Sequence, residues 1–274
     1  MGFGVSPRQP ETDYNVPVKR ILIYGGLLVL LVVVAGAAIV GSAFMGRQAI
    51  TDGFEINGIR IVQDGFASVA VLPMGEGEVA LVDAGNDPSG EAIRAELSRR
   101  GLGPEAVKGV LITHGHGDHI AAIPLFPNAE AMALAAEVPL IEGRAGARGP
   151  LPRFFPANPT GVRVARSLQD GETIMLGQTP VRVFAVPGHT DGSAAYLVNG
   201  VLFLGDSADA TTEGELRGAP WVFSDDQAQN RASLVRLQQR LAEEGAEVQA
   251  MAFAHSGVLV RGLAPLAAFA EQNP

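Results

Sequence analysis

The stretch 111-LITHGHGDHIAAI-123 places three histidines and one aspartate within six positions, between two apolar runs. Its polar residues follow the pattern H-x-H-x-D-H and are His114, His116, Asp118 and His119. Imidazole nitrogen and carboxylate oxygen bind ions such as Zn²⁺ at about 2.0–2.2 Å. In a loop that leaves a strand, alternate histidines can converge on one ion, while the Asp-His pair projects toward a second position. We expect the two intervening glycines to relieve the steric limits of such a tight turn.

The remaining two histidines of the chain also end apolar segments. His189 lies in PGHTDGS and His255 in AFAHSG, and Asp206 ends the apolar segment LFLGDS. Each of them alone would be an ordinary turn residue. Because all five histidines and these aspartates follow predicted strands, the sequence predicts that they form one metal site.

The segments around these residues predict a β-rich fold in two similar halves. In the first half, strands are predicted at 59–65, 66–73, 79–85 and 108–114. A helix is predicted before the last of them, with Asp87 as N-cap, Pro88 at its first position and Gly101 at its end.

The second half repeats this order of elements. Its predicted strands are 161–168, 172–176, 181–189, 194–198, 201–207 and 248–257, with a hairpin turn at Asn199-Gly200. Ser224 and Gln227 are predicted to form a capping box for a helix that stops at Gly245, and 263–273 is predicted as a closing helix. Two such halves predict two mixed β-sheets packed together, with helices outside.

With these motifs the sequence resembles the metallo-β-lactamase-fold hydrolase superfamily over about residues 55 to 260. The resemblance implies an α/β fold, an αββα sandwich of two mixed sheets flanked by helices. It also implies that two divalent metal ions are bound, with Zn²⁺ favoured and Fe or Mn as alternatives. The implied ligands are His114, His116 and His189 for one ion and Asp118, His119 and His255 for the other, with Asp206 bridging them and Asp83 supporting the metal loop from behind.

Such a pair of ions implies hydrolysis. Two divalent ions about 3.5–4 Å apart lower the pKa of a shared water, so that a metal-bound hydroxide is available near neutral pH. Asp118 would be the catalytic residue that orients this nucleophile. We expect a hydrolase acting on an ester, thioester or lactone. A mononuclear iron dioxygenase acting on persulfides and a non-catalytic metal-binding module are the alternatives.

The substrate within this class stays open. The ligand set is that of the glyoxalase II branch, but the C-terminal helical substrate domain of that branch is not expected, since 19 residues follow His255. An aspartate at 206, where many true β-lactamases have cysteine, disfavours antibiotic cleavage. Lactone-cleaving relatives often have tyrosine three residues later, where this sequence has Asp209.

Two stretches with little predicted structure, 139–158 and 207–226, are the candidates for selecting a substrate. Their arginines and aromatic residues could line a cleft with apolar walls and a cationic spot, or could belong to surface loops anchored in the core. The candidates are Arg144, Arg148, Arg153, Phe154, Phe155, Trp221 and Phe223.

Near the N-terminus, residues 21–45 are 25 residues without a charge. A helix of this length would measure roughly 37 Å, enough to cross a hydrocarbon core of about 30 Å. We expect a transmembrane signal anchor at 21–45 after a short cytoplasmic tail at 1–20; a cleaved signal peptide is the alternative. The basic residues Arg8, Lys19 and Arg20 precede the span and Arg47 and Arg60 follow it, which favours an extracytoplasmic, periplasmic-side domain in a single-pass membrane protein.

The rest of the chain, about residues 50–274, is predicted to form one hydrolase domain. From residue 48 onward it carries 16 basic and 27 acidic residues, a net charge of −11. Nucleic acids need basic patches, so we expect no nucleic-acid partner. The expected partners are a small-molecule substrate and, through the N-terminal helix, the lipid bilayer; the oligomeric state stays open. The absence of cysteine excludes disulfides and thiolate ligands.

Overall fold

The computed structural model describes residue 1 and residues 18–274. The predicted cytoplasmic tail, 1–20, therefore lies almost entirely outside the described residues. The chain divides into two compact units, Met1–Ala43 and Phe44–Pro274.

The first unit contains helix α1 (Val18–Ser42), which ends three residues before the predicted boundary at Met45. Its segment Arg20–Ser42 is 23 residues long with a mean hydropathy of 2.7, and none of it is buried. By length and composition, this helix could cross a membrane.

The first sheet of the second unit has seven strands in the order in which they occur along the chain. The strands are β1 (Glu55–Ile56), β2 (Ile59–Asp64), β3 (Ala67–Gly75), β4 (Glu78–Val82), β5 (Val107–Leu111), β6 (Glu130–Leu134) and β7 (Arg166–Leu168). Pairing is antiparallel from β1 to β4 and parallel from β4 to β7, so the sheet is mixed. The predicted strand 161–168 is shorter than expected, because only its last three residues pair with β6.

The second sheet has five strands in the order β14-β11-β10-β9-β8. They are β8 (Thr173–Leu176), β9 (Thr179–Ala185), β10 (Ala194–Val198), β11 (Val201–Phe203) and β14 (Ala250–Ala252). This sheet is also mixed, since β14 runs parallel to β11. The turn between β10 and β11 has positive φ at Asn199 and Gly200, as the hairpin prediction requires. A separate two-stranded ribbon, β12 (Ala208–Ala210) and β13 (Leu216–Gly218), follows β11.

Three apolar clusters define the layers. The central cluster joins the inner faces of both sheets, for example Leu111 and Met132 with Tyr196. The outer face of the first sheet packs on α2 (Glu91–Arg99), and that of the second sheet on α5 (Gln227–Glu243) and α6 (Ala264–Gln272). Two short helices, α3 (Gly117–Ile120) and α4 (Val138–Ile141), lie in loops of the first half. The αββα sandwich of two mixed sheets is confirmed.

The predicted N-caps of α2 and α5 are wrong. The Asp87 carboxylate accepts the backbone N–H groups of Ser89 and Glu91 at 2.8 and 3.1 Å, but this turn stays non-helical and α2 begins only at Glu91. Helix α5 is capped by Asp226, whose Oδ1 accepts the N–H of Gln229 at 2.9 Å. The side chains of Asp87 and Ser224 form other local hydrogen bonds, Ser224 Oγ to Pro220 O, that the sequence pattern does not distinguish from a cap.

The second unit begins at Phe44, earlier than the predicted boundary near residue 50, because residues 46–48 are bonded to the ribbon strand β12 and the turn after it. Gln48 N donates to Ala210 O at 2.9 Å, and Thr212 N donates to Gly46 O at 2.9 Å. Between these two bonds, Arg47 forms an antiparallel bridge with Thr211. The segment that follows α1 in the sequence therefore lies beside ribbon strand β12, which begins two residues after Asp206.

Candidate metal centre

The loop after β5 and the short helix α3 carry the H-x-H-x-D-H pattern. Neither Gly115 nor Gly117 has a positive φ. The prediction that both glycines relieve the steric limits of a tight turn is therefore wrong. A Cβ on Gly115 would instead lie 2.8 Å from the backbone nitrogen of Ile141, whereas one on Gly117 would meet nothing within 4 Å. Close packing against α4, and not turn strain, requires glycine at 115.

Three histidine nitrogens converge on one point in the first group of donor atoms. His114 Nε2 lies 3.0 Å from His116 Nδ1, and His189 Nε2 lies 3.1 Å from both. A tetrahedral ion with bonds of about 2.0–2.1 Å would hold its ligand atoms roughly 3.3–3.4 Å apart. The three nitrogens thus form a nearly equilateral triangle of the size that one such ion needs.

The second group contains Asp118, His119 and His255, and Asp206 lies between the two groups. Asp118 Oδ2 is 3.3 Å from His255 Nε2 and 3.8 Å from His119 Nε2. Asp206 Oδ1 faces the same two histidines at 3.2 and 3.4 Å, while its Oδ2 is 3.6 Å from His189 Nε2. The two carboxylate oxygens of Asp206 therefore face different groups.

These atoms fit a pair of cations. His119 Nε2 and Asp206 Oδ1 are buried and make no hydrogen bond among the described residues, although they face each other. Buried polar atoms without partners are costly, and in the first group the lone pairs of the three histidine nitrogens converge and repel one another. Positive ions between them would remove both penalties, and nitrogen and carboxylate donors are ligands that Zn²⁺ accepts.

The outer ring nitrogens determine which nitrogen of each histidine faces the centre. The Nδ1 atoms of His114, His189 and His255 lie 3.2, 3.1 and 2.8 Å from Thr113 Oγ1, Ser224 Oγ and Phe66 O. Ser224 Oγ donates in turn to Pro220 O at 2.8 Å, so that it accepts the Nδ1–H of the histidine. These contacts leave the Nε2 lone pairs free for a ligand role, as in many metal sites.

Asp83, at the end of β4, lies directly behind the metal loop. Its Oδ1 accepts the backbone N–H of Thr113 at 2.8 Å, and its Oδ2 accepts the Thr113 hydroxyl at 2.8 Å and the His119 Nδ1–H at 2.9 Å. Its backbone has φ of 59°, which is uncommon for a residue other than glycine. The three bonds orient the His119 ring and stabilise this backbone conformation.

Glu137 is a buried residue of the site that the sequence patterns do not indicate. It precedes α4 and is 1% exposed. Its Oε1 accepts the N–H of Gly115 at 2.7 Å, and its Oε2 accepts the N–H of Gly192 at 2.8 Å. One carboxylate therefore connects the loop of His114 and His116 to the loop that follows His189. A glutamate in the segment AAEVP has no sequence signal for this role.

The protonation of the two groups differs. Burial lowers the pKa of His114 and of His116, and lowers that of His189 to about 3, so these rings are neutral at pH 7. Burial acts in the same direction on His119, but the carboxylates of Asp118, Asp206 and Asp83 outweigh it and raise the pKa to about 9. Neutral imidazole is the form that binds a metal, so the first group is ready at neutral pH.

A cleft of about 1310 Å³ opens onto these residues. His116, Asp118, Asp206 and His255 form part of its lining, and the other lining residues are mainly apolar. Phe155 and Phe223 line it, whereas the other substrate candidates, Arg144, Arg148, Arg153, Phe154 and Trp221, are not among the described residues of its wall. Arg148 is paired with Asp191 and Asp225 instead. Arg47 also lines the cleft, although its place in the sequence indicates only a charge beside the membrane span.

Comparisons with known proteins identify the family and the fold. The family profile described as Metallo-beta-lactamase superfamily matches residues 62–244. A metallo-β-lactamase from Novosphingobium pentaromativorans has a similar fold, with a TM-score of 0.60 at 20% identity, covering 83% of this chain and 88% of that one.

Two relatives bear the name hydroxyacylglutathione hydrolase. The one from Xanthomonas axonopodis pv. citri (strain 306) is 33% identical over 165 residues, which are 60% of this chain and 54% of the relative. The one from Methylococcus capsulatus (strain ATCC 33009 / NCIMB 11132 / Bath) is 35% identical over 165 residues, 59% of this chain and 55% of the relative. The match thus spans little more than half of the length of either relative.

Proposed function

The chain belongs to the metallo-beta-lactamase superfamily, and from its donor groups and cleft we propose that it is a membrane-anchored hydrolase with two divalent metal ions. Its substrates are esters, thioesters or lactones. The observation that carries the proposal is the position of Asp206, whose two oxygens face the two donor groups. The names of the two hydroxyacylglutathione hydrolases support hydrolysis as the reaction.

The proposed ligands are those that the sequence indicates. His114, His116 and His189 would hold one Zn²⁺, and Asp118, His119 and His255 the other, with Asp206 shared. When bound, such ions activate a water molecule and polarise the carbonyl group of a substrate.

The remaining chemistry comes from the side chains. Asp118 lines the cleft, and its carboxylate can orient the attacking water by accepting a hydrogen bond from it. Burial raises the pKa of Asp118, but His119 and His255 outweigh this effect and hold it at about 2, so the carboxylate is ionised at neutral pH. The apolar walls of the cleft exclude water from the substrate.

The metal content of the full chain, purified in detergent without chelators, tests the ion pair. Two zinc ions per chain are expected, and Asp206→Ala should lower this number because it removes the shared carboxylate. Wild-type protein that saturates at one ion under zinc excess would contradict the proposal. One iron per chain with oxygen uptake on persulfides would favour the dioxygenase.

Turnover on a panel of aryl esters, thioesters and lactones tests the role of Asp118. Asp118→Asn should lower kcat by about 100-fold or more, as expected for a group that positions the nucleophile or accepts its proton. Asp170→Asn is the matched control, because Asp170 is an exposed aspartate that pairs with Arg240 and belongs to neither donor group. Near wild-type kcat for Asp118→Asn at unchanged metal content would refute the proposed mechanism.

Anchoring through α1 is also part of the proposal. The length and mean hydropathy of α1 support a single membrane span, and the basic residues before it favour an extracytoplasmic domain. Protease added to spheroplasts that express the full chain should degrade the domain, while sealed inside-out vesicles should protect it. The reverse pattern would place the domain in the cytoplasm.

A further inference from the structure

Arg47 is a buried cation in the wall of the cleft. Its side chain is 9% exposed, and it is among the residues that line the cleft with Asp118 and Asp206. Its backbone is held by the bridge to Thr211 and the flanking hydrogen bonds of residues 46 and 48. The position of the guanidinium is therefore determined by the fold of the domain.

The contacts of this guanidinium do not use all of its hydrogen-bond donors. Nη2 lies 2.6 Å from Asp209 Oδ2, and the Phe44 ring lies 4.4 Å from the central carbon. Neither Nε nor Nη2 makes a hydrogen bond of good geometry with the described residues. Both of these nitrogens are buried, whereas Nη1 is not among the buried atoms without a partner. An acceptor in the cleft would therefore stabilise this charge through Nη1.

The charge of the surroundings indicates what this acceptor is. Among the described residues that line the cleft, Arg47 is the only arginine or lysine. The chain from residue 48 onward has a net charge of −11, so an anion has few other places to bind near the centre. The planar guanidinium can donate a charge-assisted hydrogen bond from Nη1 to a carboxylate.

We propose that Arg47 is a specificity-determining residue that binds a carboxylate of the substrate. The substrate class is then an ester, thioester or lactone with a carboxylate on an otherwise apolar body, in keeping with the apolar walls. Asp209 is a positioning residue that holds the guanidinium in place. This inference rests on the proposed hydrolase function.

Two esters of the same length test this inference on the zinc-loaded full chain in detergent. One is the mono-4-nitrophenyl ester of adipic acid, which has a free carboxylate, and the other is its neutral methyl ester. The variant is Arg47→Gln with Asp209→Asn, which removes both charges without leaving either one buried alone. Arg148→Gln is the control, because Arg148 is an ion-paired arginine that is not part of the lining described above.

Wild type should prefer the carboxylated ester. The double variant should lower kcat/KM on that ester by roughly 10- to 100-fold, the usual effect of losing a hydrogen-bonded charge, and change the neutral ester by about twofold or less. The control should keep the wild-type preference. If the double variant is unstable, Arg47→Lys replaces it and should lower the preference by a smaller factor, roughly 3- to 10-fold, because it keeps the charge without the planar fork.

An unchanged preference in these variants would overturn the inference, as would an equal loss on both esters, which indicates a structural role alone. If wild type with bound zinc cleaves neither ester, the proposed function is judged separately, by turnover on the panel of aryl esters, thioesters and lactones. Calorimetric binding of monomethyl adipate, compared with dimethyl adipate, then decides the inference. Binding of the monoanion that the double variant loses would support the carboxylate site, and equal binding by both proteins would refute it.

Discussion

Replacing Glu137 tests how the two halves of the metal centre are held together. Its two carboxylate oxygens accept N–H groups from Gly115 and Gly192, and all three residues are buried. Alanine at 137 leaves both donors without a partner. Glutamine keeps one acceptor oxygen and turns its amide N–H₂ group toward the other donor.

The magnitude follows from the number of orphaned donors. Each buried donor without a partner costs about 1–3 kcal/mol, so the free energy of unfolding should fall by about 1–3 kcal/mol for Glu137→Gln and about 2–6 kcal/mol for Glu137→Ala. For a domain of this size, 1 kcal/mol corresponds to a shift in Tm of about 2–4 °C, which places the glutamine variant roughly 2–12 °C below wild type.

Calorimetric melting of the full chain, with metal content measured on the same samples, is the assay. Glu130→Gln is the matched control, since Glu130 is an exposed glutamate at the start of β6. Zinc affinity should also fall in the Glu137 variants, because the loops of His116 and His189 would no longer share a carboxylate. A Glu137→Ala variant that melts within about 1 °C of wild type would refute this reasoning.

Three further predictions follow from individual contacts. Burial raises the pKa of Glu137 above its unfolded value of about 4.3, so its ionisation opposes folding. The stabilising contribution of Glu137 is complete below the unfolded pKa and declines as the pH rises through the folded pKa. In urea titrations from pH 4 upward, the difference in unfolding free energy between wild type and Glu137→Gln should therefore become smaller. Asp83→Asn should weaken zinc binding by about 10- to 100-fold, because it removes an acceptor for His119 Nδ1–H, and competition with a chromophoric chelator measures this; unchanged affinity would contradict it. Asp226→Ala should lower the unfolding free energy by about 1 kcal/mol through loss of the α5 cap, which urea denaturation measures; an unchanged unfolding free energy would contradict this.

Local patterns in the sequence predicted the fold and the residues that the structure brings together in the donor groups. Strands β2, β8 and β10 have nearly the expected bounds because alternating and apolar segments end at turn residues whose conformational preferences are short-range. The strands predicted at 201–207 and 248–257 are shorter than expected, and β1, β6, β12 and β13 had no prediction. The H-x-H-x-D-H pattern predicted a metal site for a similar reason, since neighbours in one loop are close whatever the rest of the chain does. His189, Asp206 and His255 could be added because each of them follows an apolar strand.

Contacts between distant segments decided the rest. Glu137 has the sequence neighbours of an ordinary exposed helix start, and only the packing of α4 against the metal loop buries it beside Gly115 and Gly192. In the sequence, Arg47 is a charge at the membrane boundary. In the structure, the pairing of its backbone with Thr211 places it in the cleft wall. Which ring nitrogen of each histidine faces the centre also depends on partners up to 189 residues away, as for His255 and Phe66. Contacts between residues so far apart in the sequence depend on how the sheets pack on each other, and no local pattern of residues encodes them.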